Sequence, residues 1–282
     1  MRIGLVCPTI GRPRGIEDLL RSLHAQRHSP AHVVVSDQSQ GDEVRAVVER
    51  WAERVPVLHV RCRGQGISHA RNVGLGSLEA VDVIGFPDDD CVCPEQLLER
   101  VDRAFVADDA LAGVCGRLIS KGAGGTRMGS AATREALDRS TVWKLAIEPA
   151  MFLRSRVLEQ VGVFDETLGV GGPTRWQSGE GTELLIRALD AGLRIEHHPD
   201  LLVEEIDPRV FLTRDEYLGK TRRYARGTGR VYRMHYSWSA RARVVMRPVG
   251  GALLALAKRD LAEARRYRQV ALGRVEGLLS RD

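Results

Sequence analysis

The sequence predicts an α/β fold: a doubly wound, mostly parallel sheet flanked by helices, followed by a helical C-terminal extension. Two observations predict it. From residue 3 to residue 106, continuous apolar segments of strand length alternate with amphipathic segments, as in parallel sheets buried on both faces. From residue 213 to residue 282, 17 Lys and Arg stand against 6 Asp and Glu, with apolar residues at helical spacing. We therefore expect two domains, residues 1–212 and 213–282, with different tasks.

The first part of the chain supplies the predicted parallel sheet. Each apolar segment is long enough for one strand and is followed by a polar turn and a helix with one apolar face. Ligands of such sheets bind beyond the carboxyl ends of the strands. The predicted strands are Ile3–Cys7, Val33–Asp37, Val57–Val60 and Val81–Phe86, and the predicted helices are Gly15–Gln26, Asp42–Arg54, one from Ser68, and Pro94–Val106.

The later part is predicted to mix strands, loops and helices. Residues 120–130 are rich in Gly and basic residues, which predicts a loop able to move over a site. A glycine-dense segment at 168–173 precedes a helix that ends at Gly192. The remaining predictions are one or two strands over Leu111–Ile119, a strand at Pro149–Leu153, and helices at Arg154–Val161, Asp215–Met234, Ala240–Lys258 (broken near Pro248) and Leu261–Leu279.

Three consecutive carboxylates, Asp88, Asp89 and Asp90, follow the predicted strand Val81–Phe86. Like charges at a strand end repel one another. A divalent cation would remove the repulsion, because Mg²⁺ or Mn²⁺ prefers oxygen ligands and usually binds one or two carboxylates plus substrate phosphates. Asp88 and Asp90 fit an Asp-x-Asp pair for such a cation. The alternative is structural: Pro94 would begin a helix, near whose N-terminus acidic residues are favourable.

A glycine-rich turn precedes the predicted helix that contains Arg71 and Asn72. Gly64 and Gly66 come just before Ser68, where the helix is expected to begin. Backbone amides at such a helix start can approach a phosphate. An arginine one turn further can hold a phosphate or an acidic partner through two hydrogen bonds. The structural alternative is a turn with Ser68 as the helix N-cap.

Two carboxylates, Glu180 and Glu183, lie in the first turn of the helix that ends at Gly192. They are three residues apart and therefore share one face. A carboxylate there could take a proton from an attacking hydroxyl. The structural alternative is a pair of acidic residues that complements the helix dipole.

Taken together, these motifs resemble the family 2 glycosyltransferases, which have the GT-A fold of nucleotide-diphospho-sugar transferases. The resemblance covers roughly residues 1–210, with the motifs in the family's order. The matching segments are Val6-x-Pro8-Thr9, the strand that ends in Asp37, Gly66-x-Ser68-x-Ala70-Arg71-Asn72-x-Gly74, Phe86-x-Asp88-Asp89-Asp90, Gly162-x-Phe164-Asp165-Glu166 and Gly179-Glu180-x-Thr182-Glu183-Leu184.

The resemblance implies a nucleoside-diphosphate sugar as donor, an acceptor hydroxyl, Mg²⁺ or Mn²⁺ as cofactor, and inversion at the anomeric carbon. It leaves the sugar, the nucleobase and the acceptor (glycan, lipid-linked or small metabolite) open. The residues that it implies for nucleotide binding are Pro8, Thr9, Asp37, Gly66, Ser68, Arg71, Asn72, Asp88 and Asp89, and Asp88 and Asp90 would hold the cation.

The sequence departs from the family pattern at two places. Relatives usually carry an acidic residue where this chain has Gly181, so we expect Glu180 to be the base, with Glu183 in reserve. Relatives also tend to have a metal-binding histidine after a later strand, and that place falls on Glu205. Glutamate also ligates hard cations, so Glu205 is a candidate ligand, whereas His197 and His198 are expected to be structural.

The basic extension has two interpretations. It is either a solvated helical cover, or a surface that binds an anionic membrane through basic residues alternating with tyrosines between Tyr217 and Tyr236. Nucleic acid is not expected as a partner, because no recognition motif accompanies the charge. A homo-oligomer is possible on sequence grounds.

The cysteines and the apolar runs indicate the compartment. The five cysteines are odd in number and form no Cys-x-x-Cys pair, which is typical of a reducing compartment. We expect packing roles for Cys91 and Cys93, although they flank the Asp triplet. The longest apolar run, 249–257, is too short to span a membrane, and Met1 leads directly into a strand without a signal peptide. We therefore expect a cytoplasmic protein, with peripheral membrane contact as an option.

Two other functions fit parts of the sequence. A nucleotidyltransferase shares the fold but usually has a Gly-rich basic signature after its first strand, which this chain lacks. A non-catalytic binder of nucleotide sugars would explain Gly181. Product analysis separates the first alternative from a glycosyltransferase, and binding without turnover would favour the second.

Overall fold

The computed structural model describes residues 1–121, 126–128, 131–206 and 212–280. The chain forms two compact units, one from Met1–Phe164 with Leu184–Asp207 and the other from Asp165–Glu183 with Pro208–Asp282. The second unit thus includes a segment that precedes residue 212, and the domain boundary expected there stays a prediction.

The first unit contains the sheet and the helices that cover it. The strands are β1 (Ile3–Thr9), β2 (His32–Asp37), β3 (Val57–Arg61), β4 (Val83–Gly85), β5 (Cys91–Val92), β6 (Leu111–Lys121), β7 (Thr126–Met128), β8 (Glu135–Ala136), β9 (Met151–Arg154) and β10 (Arg194–Ile206). The helices are α1 (Pro13–His24), α2 (Glu43–Trp51), α3 (Ile67–Gly76), α4 (Leu97–Ala107), α5 (Val142–Leu145) and α6 (Ser155–Val161), with a 3-10 turn at Glu148–Ala150. Helix α7 (Glu180–Asp190) begins in the second unit and ends in the first.

The sheet has the order β3-β2-β1-β4-β9-β6-β10-β5, with β7 beside β6 and β8 beside β10. Strands β3, β2, β1 and β4 are parallel, and β9 runs antiparallel between β4 and β6. Strands β1 and β2 are buried throughout, because helices with apolar inner faces cover the sheet. This architecture confirms the predicted α/β fold.

Several predicted elements need correction. Helix α4 begins at Leu97, so Pro94 does not start it, and β5 separates Asp90 from it. The segment 120–130 is not one loop: β6 runs to Lys121 and β7 occupies 126–128. Residues 122–125 and 129–130, with the predicted movement over a site, lie outside the described part of the chain. Strands β5, β7 and β8 and helix α5 were not expected from the sequence.

The second unit carries three long helices, α8 (Arg214–His235), α9 (Trp238–Ala257) and α10 (Leu261–Leu279). Thr213 and Glu216 form a reciprocal capping box at the start of α8. The predicted break in α9 is wrong: the helix continues through Pro248, whose ring is buried. An interior proline removes one helical hydrogen bond and its ring crowds a carbonyl one turn earlier, at a cost of about 3 kcal/mol, which the folded unit tolerates here. No helix in the described residues is long and apolar enough to cross a membrane.

Glycines bring α8 and α10 close together. A Cβ at Gly229 would overlap the carbonyl oxygen of Arg274, and one at Gly277 would overlap the carbonyl oxygen of Arg226. These backbones therefore approach more closely than any side chain permits. By contrast, Gly250 in α9 has open space around its Cβ position.

We predict opposite effects for two glycine-to-alanine substitutions in this unit. Gly229→Ala forces α8 and α10 apart and should lower the free energy of unfolding by about 1–3 kcal/mol. Gly250→Ala is the matched control, and it should raise stability by about 0.5–1 kcal/mol, because alanine favours the helix and nothing blocks it. Urea unfolding of both variants measures the difference. Equal effects would contradict the close packing.

Candidate functional site

Strands β1, β2 and β4 bring the predicted site residues to one rim of the sheet. These strands are parallel, so their carboxyl ends meet at the same edge. Thr9 lies opposite Asp37 in the register of β1 and β2. The Thr9 hydroxyl donates a hydrogen bond of 2.6 Å to Asp89, which lies four residues after β4 ends at Gly85. The rim expected from the sequence is therefore present.

Asp88 is paired with a buried arginine. Arg71 Nη2 donates a hydrogen bond of 2.9 Å to Asp88 Oδ1, and Arg71 is only 1% exposed. Burial raises the pKa of Asp88 to about 6, Arg71 opposes the rise, and Asp90, Glu148 and Asp89 add to it. The Asp88 side chain remains 31% exposed. The second carboxylate oxygen, Oδ2, accepts no hydrogen bond from the described residues.

Both carboxylate oxygens of Asp89 accept hydrogen bonds from protein side chains. Its Oδ2 accepts the bond from Thr9, and its Oδ1 accepts one of 2.9 Å from Arg12. Burial raises the pKa of Asp89, while the bonds from Thr9 and Arg12 lower it. Helix α1 comes so close that a Cβ at Gly15 would overlap the Asp89 carbonyl oxygen. Asp89 thus fixes the turn after β4.

Arg12 was not singled out in the sequence. It bridges Asp89 and Asp90, donating from Nη1 to Asp90 Oδ2 at 3.0 Å as well. An arginine directly before a helix, with Pro13 at its first position, carries no special motif, so only the folded turn reveals the bridge.

Asp90 and Glu205 are brought together by backbone pairing. Strand β5 follows Asp90 directly, and its Cys91 pairs with Glu205 of β10. The Asp90 side chain is 32% exposed, and Glu205 is buried. Among the described residues, no group of three or more His, Cys, Asp or Glu side chains is arranged to hold a metal ion. Whether Glu205 is a ligand stays a prediction.

The carboxylates of Asp88 and Asp90 suit a hard cation. Each has one oxygen in an ion pair with an arginine, and in the described part of the chain neither has a bond to its other oxygen. Mg²⁺ and Mn²⁺ prefer such oxygen donors and usually take one or two carboxylates, with substrate phosphates completing the shell. The donor set therefore fits.

Asp37 is completely buried at the end of β2. It accepts hydrogen bonds of 2.9 Å from the Ser39 amide and from His59 Nε2, and it lies 3.3 Å from Arg61. His59 and Arg61 belong to β3 and were not predicted as site residues. The alternation of polar and apolar residues along β3 does not predict that His59 and Arg61 face a buried carboxylate. Asp37 therefore holds β2, β3 and the following turn in place.

The glycine-rich turn begins helix α3 one residue earlier than expected. Gly66 is the N-cap, with φ at +100°, a conformation that favours glycine. Ser68 is the second helical residue and is buried, so its interpretation as N-cap is wrong. The turn lies beside the rim, because Gln38 Nε2 donates to the Gly64 carbonyl at 3.0 Å.

Arg71 and Asn72 both contact Phe164. The Asn72 amide group pairs with the Phe164 backbone, donating to its carbonyl at 2.9 Å and accepting from its amide at 3.1 Å. The Arg71 guanidinium lies 5.3 Å from the centre of the Phe164 ring, which packs edge-on against Phe86. A Cβ at Gly74 would overlap Ser36 and Val6. Much of this motif therefore serves packing, which the sequence does not distinguish from ligand binding.

Glu180 and Glu183 are the first and fourth residues of helix α7, and both are buried. His235, near the end of α8, donates from Nε2 to Glu183 Oε1 at 2.9 Å. A neutral or protonated histidine can make this bond to a carboxylate. Glu183 is thus joined to the helices of its own unit, and His235 is a partner that sequence spacing could not reveal.

His197 and His198 make hydrogen bonds within the first unit. His197 Nδ1 contacts the Leu145 carbonyl at 3.2 Å, and His198 Nε2 contacts Glu196 at 3.1 Å. All five cysteines are buried and free of disulfides. Burial raises the pKa of Cys93 to about 12, so this thiol stays protonated.

Comparison with known proteins identifies the family. The model of glycosyl transferase family 2 matches residues 5–161, more than half of the chain. The chain belongs to glycosyltransferase family 2. A search of curated proteins gave no match.

Solved structures of low sequence identity share the fold of this glycosyltransferase. The mannosyltransferase PcManGT from Pyrobaculum calidifontis, in complex with GDP-Man and Mn²⁺, has a TM-score of 0.69 at 16% identity, over 99% of this chain and 87% of that one. TarS 1–349 from S. aureus, in complex with UDP-GlcNAc, has a TM-score of 0.59 at 16% identity, over 95% and 92%. The longer TarS structure has a TM-score of 0.57 at 20% identity, and the match spans 80% of this chain but 39% of TarS.

We predict that Asp89 and Asp90 differ in their effect on stability. Asp89→Ala leaves the buried Thr9 hydroxyl without its acceptor and should lower the free energy of unfolding by about 1–3 kcal/mol. Asp90→Ala removes a partly exposed ion pair, which is worth about 0–1 kcal/mol. Urea unfolding without added metal measures both. A loss for Asp90→Ala as large as that for Asp89→Ala would contradict the structural role of Asp89.

Proposed function

We propose that the protein is an inverting, divalent-metal-dependent glycosyltransferase that moves a sugar from a nucleoside-diphosphate sugar to an acceptor hydroxyl. The observation that carries the proposal is the pair Asp88 and Asp90 at the carboxyl end of β4, each with an unbonded oxygen and each backed by an arginine. Family membership supports the reaction class. The mannosyltransferase and TarS structures, which hold sugar nucleotides, support the donor class.

A bound Mg²⁺ or Mn²⁺ would supply positive charge where the leaving diphosphate becomes more negative. Asp88 and Asp90 are the proposed ligands, and Glu205 is a further candidate because β10 brings it beside Cys91. Arg71 and Arg12 hold these carboxylates in position. This arrangement also explains why the fold keeps three carboxylates together.

The nucleoside is proposed to bind along the rim formed by β1, β2 and the glycine-rich turn. Asp89 and Asp37 would act mainly by fixing this rim, since their oxygens already bind protein donors. The remaining proposed contacts are Pro8, Thr9, Gly66, Ser68, Arg71 and Asn72.

Glu180 is the proposed base that takes the proton from the acceptor hydroxyl. Glu183 is the reserve candidate, and its carboxylate accepts a hydrogen bond from His235. The protein is further proposed to act in the cytoplasm, and the five buried cysteines, none of which forms a disulfide, support this.

A thermal-shift panel of nucleoside diphosphates and nucleotide sugars, with and without Mn²⁺, tests the donor and the metal. At 100 times its dissociation constant, a ligand should stabilise the protein by about 2.7 kcal/mol. The stabilisation should require Mn²⁺ and disappear in Asp90→Ala, whose fold is expected to survive. Equal shifts with EDTA, or in Asp90→Ala, would contradict the metal role. Product analysis by NMR then decides whether the configuration is inverted or a nucleoside triphosphate is cleaved instead.

We predict that Glu180→Gln lowers turnover about 10²- to 10⁴-fold, because it removes the general base and keeps the shape of the side chain. The thermal shift caused by the donor should stay unchanged. Glu183→Gln is the matched control, and it should mainly reduce stability by weakening the contact with His235. Steady-state kinetics with the donor identified above measures both. If Glu183→Gln stops turnover and Glu180→Gln does not, the assignment is reversed.

A further inference from the structure

The outer face of helix α9 consists of exposed apolar side chains. Trp238 is 80% exposed, Met246 61% and Leu253 63%. At ~100° per residue, these three lie within about 80° of one another around the helix axis. Val244 and Pro248, which are buried, lie outside this arc, at about 240° and 280° from Trp238. The exposed Leu256, at about 0°, and Leu254, at about 160°, extend this apolar surface along and around α9.

Basic residues border this face, and helix α9 contains no Asp or Glu. Arg243 and Arg247 are exposed at about 140° and 180° from Trp238, on either side of the exposed Leu254 at about 160°. Lys258 and Arg259 are exposed just after the helix ends. The next acidic residues are already engaged within their own helix: Asp260 caps α10 through the Glu263 amide, and Glu263 pairs with Arg266.

Several basic residues of α8, the helix that the sequence suggested for membrane contact, are used inside the unit. Arg222 and Arg226 both pair with Glu276 of α10. Arg233 donates to the carbonyls of Leu278 and Ser280. On α9, exposed arginines and a larger exposed apolar area occur together.

We propose that helix α9 lies flat on an anionic lipid surface, with Trp238, Met246 and Leu253 in the headgroup boundary and Arg243 and Arg247 beside lipid phosphates. An apolar face with an exposed tryptophan and a basic margin is typical of interfacial helices. Long arginine side chains at the margin can reach the headgroups while their stems stay apolar.

Charge favours lipid over a second copy of the chain. Two copies of this face would bring Arg243 and Arg247 toward the same residues of the other copy, and α9 offers no acidic residue to pair with them. An anionic membrane supplies negative charge along the whole helix. The inference concerns where the protein binds, and it does not depend on the proposed chemistry.

Vesicle co-sedimentation of the full chain tests the proposal. The protein should pellet with vesicles of phosphatidylglycerol and phosphatidylcholine, and much less with phosphatidylcholine alone, with binding weakened by added salt. R243Q/R247Q should reduce the partition coefficient about 30-fold, since each basic residue near the surface contributes roughly fivefold. R265Q/R268Q changes two exposed arginines of α10 and is the matched control, expected to bind like wild type.

Tryptophan fluorescence reports the apolar contact directly. Of the four tryptophans, Trp51 and Trp176 are buried and Trp143 is half-buried, whereas Trp238 is 80% exposed. Anionic vesicles should therefore shift the emission of the wild type to the blue. Trp238→Phe should lose most of this shift while still pelleting with vesicles, because phenylalanine remains apolar. Trp238→Ser with Leu253→Ser should lose both signals without a change in melting temperature, since both side chains are exposed.

Three results would overturn the proposal. One is no pelleting with anionic vesicles at low salt. Another is an equal loss of binding in R243Q/R247Q and R265Q/R268Q, which would assign the effect to overall charge. The third is a dimer in sedimentation equilibrium that Trp238→Ser converts to a monomer, combined with no vesicle binding, which would assign the face to a second copy.

Discussion

The turn after β4 must hold three adjacent carboxylates, Asp88, Asp89 and Asp90, where they are partly shielded from water. Desolvation disfavours their charge, as the raised pKa of Asp88 shows, and the protein opposes this with fixed donors. Arg71 donates a hydrogen bond to Asp88, and Arg12 donates hydrogen bonds to Asp89 and Asp90. Each donor must itself be held in position by packing and hydrogen bonds, which come from several elements of the first unit.

Support for the turn comes from three directions. Thr9 ties Asp89 to the end of β1, and Gly15 lets α1 come close to the same residue. Arg71 is packed against Phe164, which Asn72 fixes through both backbone groups. A buried arginine would be costly without these contacts, because it must keep both its ion pair and its packing. The motifs that resemble a nucleotide site are therefore also what holds the fold together.

The parallel half of the sheet was predictable from the sequence because β1 and β2 are buried on both faces and read as unbroken apolar runs. Strand β10 gives no such signal, since Glu196, His197 and His198 interrupt its pattern and the register shifts after His197. The rim was predictable from topology alone, but Arg12, His59 and His235 were not. Their roles arise from partners distant in sequence, which neither propensity nor spacing records.

The positions of the charged side chains in the second unit were likewise not predictable from the sequence. Counting 17 basic residues against 6 acidic ones between residues 213 and 282 predicts a basic surface but not its place. In the folded unit, Arg222 and Arg226 neutralise Glu276 and join α8 to α10, whose glycines permit the close approach. Arg243 and Arg247 have no acidic neighbour within α9 and stand next to exposed apolar residues. Arginine side chains thus join α8 to α10 but are exposed on α9. The difference arises because α10 supplies Glu276 as a partner for those of α8, whereas α9 contains no acidic residue.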